Sequence, residues 1–232
     1  MIDCVDYVIT HKPFPVEQDE LYRKLCVGNY CDDINLSERE GDNIAEYNDR
    51  LNECTGLYWM WKNASSKYIG LSHYRRFFEC DGHKLNISDI EKILVDDGCN
   101  LILSEPVNLR WTVYQNISIA VGDRLSSDVY HLFKQAMPNK LQAFDEVMGS
   151  HRMYVCNMFV TSKEIMDRYC EWLFSFLLDV TDQIKTDGLN FTQKRVAGYF
   201  AETMWTVWML NNYDIKVKTL PIVVSGQKVD WT

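Results

Sequence analysis

The 232-residue chain is long enough for one large domain with a substantial core, and its 47% hydrophobic and 25% charged residues are close to the average of globular proteins. Its formal net charge of -9 argues against a nucleic-acid partner, because a phosphate backbone needs a basic surface, although a local arginine cluster can still bind a small anion. Eight dispersed cysteines, with no signal peptide and no run of transmembrane length, predict a cytoplasmic protein whose contact with a membrane is peripheral at most.

The order of apolar runs predicts strands that alternate with helices. The strand-like runs are short and β-rich, whereas apolar residues recur three and four positions apart in the helices. The predicted strands lie at 4–10, 68–72, 101–105, 153–161 and 215–224. A short helix or turn is predicted at 19–28, and helices at about 43–62, from Ser88 to Gly98, at about 127–136, after Pro138, from Thr161 to Val180 and at about 194–210. Capping boxes are predicted for three of these helices, with the pairs Asn43–Glu46, Ser88–Glu91 and Thr161–Glu164. This alternation predicts an α/β fold with helices on both faces of a sheet.

The stretch "YIGLSHYRRFF" (68–78) places a dense cationic group after a predicted strand. Ligands of α/β sheets bind beyond the carboxyl ends of the strands, which selects Thr10–Lys12, His73–Arg76 and the loop after 101–105. If strand geometry continues, His73 and Arg75 share one face, while Tyr74 and Arg76 share the other. The planar fork of an arginine suits diphosphate or carboxylate oxygens. The alternative is a buried arginine that pairs with one of the many carboxylates.

Two polar residues lie within otherwise apolar segments. Glu202, in "RVAGYFAE", shares a helix face with Arg195 and Gly198, and desolvation by its apolar neighbours would raise its pKa and suit a general base. The alternative is that Glu202 pairs with Arg75 or Arg195. Asn157, in the predicted strand "YVCNMFV", must be satisfied by a neighbouring loop or be used, for example to hold a sugar hydroxyl.

Several motifs are absent from the sequence, which narrows the chemistry. There is no phosphate-binding loop, no dinucleotide fingerprint and no serine-hydrolase elbow. Of two acidic pairs, Asp96–Asp97 is interpreted as solvated surface, and Asp32–Asp33 in a loop stays open as a candidate for a divalent ion.

The segments "GDNIAEYN", "ECTGLYWMWKN", "YIGLSHYRRFF", "CNMFVTSKEIMDRYCEWLF" and "RVAGYFAE" together resemble the motif series of a bacterial capsular-polysaccharide glycosyltransferase family catalogued as domain of unknown function 4422. The resemblance implies a GT-A-like mixed sheet flanked by helices in one compact domain, 1–232, with a nucleotide-sugar half at about 1–106 and a helical acceptor half at about 107–232. It also implies transfer of a sugar, galactofuranose in some members, from a nucleotide-diphosphate donor to a growing surface polysaccharide. We expect the donor to be UDP-linked and the acceptor to be a glycan that could be lipid-linked at the inner face of the membrane.

The resemblance further assigns roles to residues. In the GT-A plan, this strand ends in an Asp-x-Asp pair that holds a divalent metal, and His73, Arg75 and Arg76 stand in its place. Fixed guanidinium charge can neutralise a leaving diphosphate, so we predict metal-independent transfer with no required cofactor, Mn²⁺ or Mg²⁺ being the disfavoured alternative. Glu202 would be the catalytic base of an inverting reaction, with Arg75 and His73 as its catalytic partners.

The remaining roles concern the donor and the acceptor. The implied donor-binding residues are Thr10, His11, Lys12, Asp42, Asn43, Tyr74 and Arg76, and the implied acceptor or sugar-binding residues are Asn157, Arg195 and Tyr199. Region 107–150 matches the family least and is expected to shape the acceptor site. A non-catalytic module that binds a nucleotide sugar or a glycan in an assembly complex is the competing hypothesis, and it needs the arginines but not Glu202.

Overall fold

The computed structural model describes residues 2–15, 17–30, 35–224 and 227–228. The strands are β1 (Cys4–Thr10), β2 (Tyr22–Cys26), β3 (Leu36–Ser37), β4 (Tyr68–His73), β5 (Arg76–Cys80), β6 (His83–Lys84), β7 (Leu101–Ser104), β8 (Val107–Asn108), β9 (Arg152–Met153), β10 (Phe159–Ser162), β11 (Val217–Leu220), β12 (Ile222–Val224) and β13 (Gln227–Lys228).

The helices are mostly short. They are α1 (Asn48–Leu51), α2 (Cys54–Asn63), α3 (Ile87–Glu91), α4 (Val113–Val121), α5 (Asp123–Ala136), α6 (Leu141–Gly149), α7 (Lys163–Phe174), α8 (Leu177–Gln183), α9 (Phe191–Lys194), α10 (Val196–Ala201) and α11 (Met204–Met209). Ala45–Tyr47 and Pro138–Lys140 form 3₁₀ turns, and a π-helical turn at Lys92–Asp96 extends α3. None of the helices in the described ranges is both long enough and apolar enough to cross a bilayer.

The central sheet runs in the order β11-β7-β10-β4-β1-β2-β3. All neighbouring strands in this path are parallel except β10, which lies antiparallel between β4 and β7. The carboxyl ends of β1, β4 and β7 therefore meet at one edge, at Thr10, His73 and Ser104, and the chain enters β10 from that same edge. We call it the carboxyl edge.

Two apolar cores lie on the two faces of the sheet, because successive side chains of a strand point to opposite sides. On β1, Tyr7 and Ile9 join the larger core, whose helical part includes Phe133 and Trp205. Val8, between them, joins the smaller core with Phe78. The fold class predicted from the sequence, a mixed α/β sheet flanked by helices in one compact domain, is confirmed. The division into halves at about residue 106 stays a prediction.

Several element predictions are wrong in informative ways. Segment 19–28 holds strand β2 instead of a helix or turn, and it pairs parallel with β1. The helix predicted at 43–62 is interrupted at Asn52, whose φ of 54° and ψ of -128° favour glycine and stop the helical hydrogen bonds. The predicted Asn43–Glu46 capping box does not form, because Ile44 is the N-cap residue of the first 3₁₀ turn.

Other boundaries shift by a few residues. The capping box of α3 consists of Asn86 and Asp89, not Ser88 and Glu91. The N-cap of α7 is Ser162, whose side chain accepts from Ile165 N–H. The helices predicted at 161–180 and 194–210 are each divided into shorter helices, and α4 was not predicted. Only 159–161 of the predicted strand at 153–161 belong to the central strand, β10, while β9 takes in Met153 and pairs with β8 in a separate two-stranded sheet.

Candidate active site

The cationic segment forms a tight hairpin at the carboxyl edge. Strand β4 ends at His73, Tyr74 and Arg75 make the turn, and Arg76 begins β5 directly opposite His73. Residues that pair directly across two strands point to the same face. His73 therefore shares its face with Arg76, and the predicted pairing of His73 with Arg75 is wrong because the strand ends before Arg75.

A second turn, Cys156–Asn157, enters the carboxyl edge immediately before β10 and connects two of the predicted residues. Both residues have positive φ, 71° for Cys156 and 50° for Asn157. His73 Nε2 lies 2.6 Å from the carbonyl oxygen of Cys156, and Cys156 N–H donates to Glu202 Oε1 at 2.5 Å. The nitrogen and oxygen of one residue are at most about 3.6 Å apart, so His73 Nε2 and Glu202 Oε1 are within about 9 Å of each other.

The contact with Cys156 O places a proton on Nε2 of His73. A carbonyl oxygen can only accept, so Nε2 must carry the proton when it bonds to Cys156 O. Burial lowers the pKa of His73 below its ordinary value, Glu53 and the Cys156 carbonyl oppose that shift, and Arg76 and Arg75 add to it. His73 is therefore neutral at pH 7, and its Nδ1 is left as a lone-pair acceptor. The positive charge of the hairpin comes from the two arginines.

Glu202 has the altered acidity that a general base needs. Burial, followed by the nearby charge of Glu53, raises its pKa from 4.5 to about 7, although the Cys156 N–H, Arg76 and Arg195 oppose the shift. Its second oxygen, Oε2, accepts no hydrogen bond from the part of the chain that the structure describes. No group in that part of the chain therefore competes with a ligand hydroxyl for this oxygen.

Asn52 and Glu53, the two residues between α1 and α2, each bind a side chain close to Glu202. Asn52 Oδ1 accepts a hydrogen bond from Arg195 Nε, and Glu53 Oε1 accepts from Asn157 Nδ2 at 2.9 Å. Helix α10 approaches Asn52 closely at Gly198, where an added Cβ would lie 2.7 Å from Asn52 Nδ2. The predicted polar residues Asn157 and Arg195 are thus held by neighbouring residues of the chain.

The ring of Tyr74 is a buried platform for groups from two loops. Arg75 Cζ and Lys12 Nζ lie 5.4 and 5.3 Å from its centroid, and the His11 ring packs edge-on at 5.2 Å. Burial, then Lys12 and Arg195, lowers the pKa of His11. We call Lys12, Arg75, Arg76 and Arg195 the cationic rim.

Some predicted residues do not join this group. Asp42 and its neighbour Asn43 lie at the far end of α2, where Asp42 exchanges hydrogen bonds with Asn63. Asn63 lies ten positions after Glu53, which corresponds to about 15 Å of helix. Thr10 reaches the carboxyl edge, but it is buried and its hydroxyl donates to Val8 O at 3.1 Å.

Tyr199 lies on α10 between Arg195 and Glu202, at spacings of four and three residues. It is partly buried and packs against the larger core. These spacings place it on the same side of the helix as both residues.

A divalent metal does not fit the place that the resemblance gives it. His73, Arg75 and Arg76 replace the expected carboxylates, and guanidinium groups repel a cation and cannot ligate it. Within the described ranges, no three or more His, Cys, Asp or Glu side chains form a group that could hold a metal. Asp32–Asp33, the other metal candidate, lies outside the described residues, so metal independence stays a prediction.

Sequence reasoning missed Glu53 and the backbone of Cys156. Glu53 opens the motif "ECTGLYWMWKN", and an acidic residue at a helix start is so common that it drew no functional hypothesis. The contact of Cys156 is made by its peptide group, which no side-chain pattern can reveal.

Comparisons with known proteins identify a family and one solved structure with a similar fold. A family model described as "Domain of unknown function (DUF4422)" matches residues 6–213. The apo structure of the bifunctional glycosyltransferase WbbM matches with a TM-score of 0.75 and 26% identity over 97% of this chain and 45% of that chain. The chain thus spans less than half the length of WbbM.

Other comparisons add less. The mannosyltransferase Ktr4p from S. cerevisiae aligns over 95% of this chain and 70% of its own, but its TM-score of 0.39 and 10% identity carry no argument. No curated protein matches the chain.

Proposed function

The chain belongs to the family described as "Domain of unknown function (DUF4422)", and we propose that it is a glycosyltransferase. It transfers a sugar from a nucleoside-diphosphate donor to a hydroxyl of a growing bacterial surface polysaccharide. The observation that carries the proposal is the meeting of Glu202 and His73 at the Cys156–Asn157 turn, beside the cationic rim. The shared fold with the glycosyltransferase WbbM supports it.

The cationic rim supports a diphosphate donor. Lys12 and Arg75 are exposed at the carboxyl edge of a chain whose net charge is -9, so the clustering is local and not a property of the whole surface. Arginine forks suit the oxygens of a diphosphate, and their charge stabilises the leaving group as it develops. We propose UDP as the leaving group, galactofuranose as the first sugar to test, and no requirement for a metal.

Glu202 supplies the base. The oxygen of the acceptor hydroxyl attacks the anomeric carbon, its proton moves to Glu202, and the bond from that carbon to the diphosphate breaks with its electron pair on the leaving UDP. Attack opposite the leaving group inverts the anomeric centre. A pKa of about 7 suits this proton transfer near neutral pH.

Neutral His73 has a different part from the one that the resemblance implied. Its Nε2–H donates to Cys156 O, so Nδ1 faces away from that bond and can accept a hydrogen bond from a donor or acceptor hydroxyl. His73 thereby orients a substrate while the arginines carry the charge. The acceptor in this proposal is a glycan, lipid-linked at the cytoplasmic face of the membrane.

A donor screen with the purified protein tests the proposal. UDP-sugars, including UDP-galactofuranose, are incubated with acceptor glycans in the presence and absence of EDTA. We expect turnover that changes less than about twofold with the chelator, whereas strict dependence on Mn²⁺ or Mg²⁺ would refute metal independence. Arg75→Ala should weaken UDP binding and turnover at least tenfold, and Arg168→Ala is its control, because Arg168 pairs with Asp214, away from the cationic rim.

The competing hypothesis has its own outcome in this screen. UDP binding that depends on Arg75, without turnover of any donor, would favour the non-catalytic binding module. If the Glu202→Gln variant turned over the donor as fast as the wild type, the catalytic base would be a different residue.

A further inference from the structure

Glu53 is a carboxylate that the proposed reaction does not use, although it lies at the centre of the site. Its Oε1 accepts a hydrogen bond from Asn157 Nδ2 at 2.9 Å. It is also the charge that acts most strongly on both Glu202 and His73. If Glu53 served only to begin helix α2, neither the hydrogen bond from Asn157 nor the electrostatic effect on Glu202 and His73 would be needed.

The contact with Asn157 has a clear structural use. Cys156 and Asn157 both adopt positive φ, which costs energy for residues with a side chain and persists only where the surroundings impose it. Three charged or titratable groups bond to this turn: His73 on Cys156 O, Glu202 on Cys156 N–H, and Glu53 on the Asn157 side chain, whose Nδ2 also lies 3.8 Å from Cys54 Sγ. Glu53 is the one of the three to which no step in the reaction has been assigned.

The position of Glu53 is itself fixed from the other side. Its neighbour Asn52 has positive φ and accepts from Arg195, while α10 packs against Asn52 at Gly198. The helix that carries Glu202 at its end and the turn that contacts Glu202 are therefore both tied to the two adjacent residues Asn52 and Glu53.

We propose that Glu53 is a positioning residue for the transfer reaction: its carboxylate holds Asn157, and thereby keeps the Cys156–Asn157 turn in the conformation that presents Cys156 N–H to Glu202. This inference rests on the proposed function, because it assigns Glu53 a part in the same site.

The charge of Glu53 gives the inference a second consequence. The charged groups that act on Glu202 are Glu53 from the start of α2, Arg76 from β5 and Arg195 from the start of α10. Glu53 alone among these favours the protonated form of Glu202. Removing its charge while keeping its shape must therefore lower the pH at which Glu202 becomes a base. His73 stays neutral in that variant, because the substitution removes a charge that favours the protonated form of His73.

Two substitutions separate position from charge. Glu53→Gln keeps an oxygen for Asn157 Nδ2 but removes the charge, so we expect the acidic limb of the kcat profile to move down by at least half a pH unit while the plateau changes less than about twofold. Glu53→Ala removes both, so we expect kcat to fall at least tenfold at every pH, with UDP affinity unchanged. Exposed Glu46→Gln is the control and should leave both limb and plateau as in the wild type.

A measurement without turnover keeps the inference separable from the proposed function. The carboxyl ¹³C signals of labelled glutamates are titrated by NMR, and the Glu202 signal is assigned by its loss in Glu202→Gln. Its midpoint should fall in Glu53→Gln and stay in Glu46→Gln.

The outcomes that overturn the inference are distinct. An unmoved Glu202 midpoint refutes the coupling, and wild-type kcat in folded Glu53→Ala refutes the positioning. Loss of transfer in Glu53→Gln with an active Glu202→Gln would make Glu53 the base itself. Failure of the proposed function appears instead as absence of wild-type turnover with every donor.

Discussion

Replacing Glu202 with glutamine should abolish transfer and, at the same time, stabilise the protein at alkaline pH. The glutamine oxygen can still accept the Cys156 N–H, so the turn keeps its partner. What disappears is a carboxylate whose ionised form is disfavoured by burial and by the charge of Glu53. The same feature that makes Glu202 a base near neutral pH therefore lowers the stability of the fold.

The magnitude follows from linkage. A pKa raised from 4.5 to about 7 corresponds to about 3 kcal/mol, since one pKa unit is worth about 1.4 kcal/mol. Between these pH values Glu202 holds a proton in the folded protein that it has lost in the unfolded chain, so its contribution to wild-type stability falls as the pH rises and levels off above about 7. Because Glu202 is only partly buried, we expect the variant to gain about 1 to 3 kcal/mol between pH 4 and pH 8 relative to the wild type.

The assay is urea unfolding followed by tryptophan fluorescence at pH 4 and pH 8, since Trp205 and Trp208 lie buried in the larger core close to Glu202 in sequence. Comparing the two pH values cancels any constant cost of burying the amide. Exposed Glu171→Gln, on α7, is the control and should show the same difference from wild type at both pH values. A Glu202→Gln variant with equal effects at pH 4 and pH 8 would refute the argument that burial and Glu53 hold the proton on Glu202.

Two further predictions concern the buried centre of the sheet and the support of the site. Asp6 is fully buried, its Oδ2 accepts from Ser72 at 2.9 Å, its Oδ1 has no partner in the described ranges, and burial raises its pKa to about 7. Asp6→Asn should therefore gain up to about 4 kcal/mol in unfolding free energy between pH 4 and pH 8, and a pH-independent effect in the urea assay would contradict this. Gly198→Ala should displace Asn52 from Arg195, lowering kcat about tenfold while UDP affinity by calorimetry stays the same. Unchanged kcat would show that the Asn52 contact has no part in positioning.

The strands that carry the site could be predicted because they are short, apolar and β-rich. The segments 4–10, 68–72 and 101–105 all became central parallel strands, and the rule that ligands bind beyond their carboxyl ends selected the His73–Arg76 hairpin. Strand β2 was missed because its sequence, YRKLC, carries two cations that resemble a helical surface. Its pairing with β1 depends on a tertiary neighbour that no local pattern shows.

Two of the side chains singled out in the sequence meet at the Cys156–Asn157 turn, whereas the backbone of the site was not predicted. Glu202 and Asn157 stood out as polar residues in apolar segments, and both lie at the site. The interruption of the helix at Asn52 could not be predicted, because an asparagine within a helical pattern gives no sign of a positive φ. The same reason explains why the Cys156–Asn157 turn was predicted as a strand.

Most described residues other than glycine that have a strained, positive φ lie at the candidate site. This distribution indicates that the strained conformations serve the site and not the fold. In the part of the chain that the structure describes, four residues other than glycine have positive φ. One, Asp81, precedes Gly82 in the two-residue turn between β5 and β6, where hairpin geometry demands it.

The other three, Asn52, Cys156 and Asn157, lie in the network of hydrogen bonds around Glu202. Each costs on the order of 1 to 3 kcal/mol. A glycine at Asn52 would remove that cost, but it would also remove the oxygen that holds Arg195. Side chains at strained positions are physically justified where they and their peptide groups orient a catalytic base. Glu53, Asn52 and the Cys156–Asn157 turn form such an arrangement around Glu202.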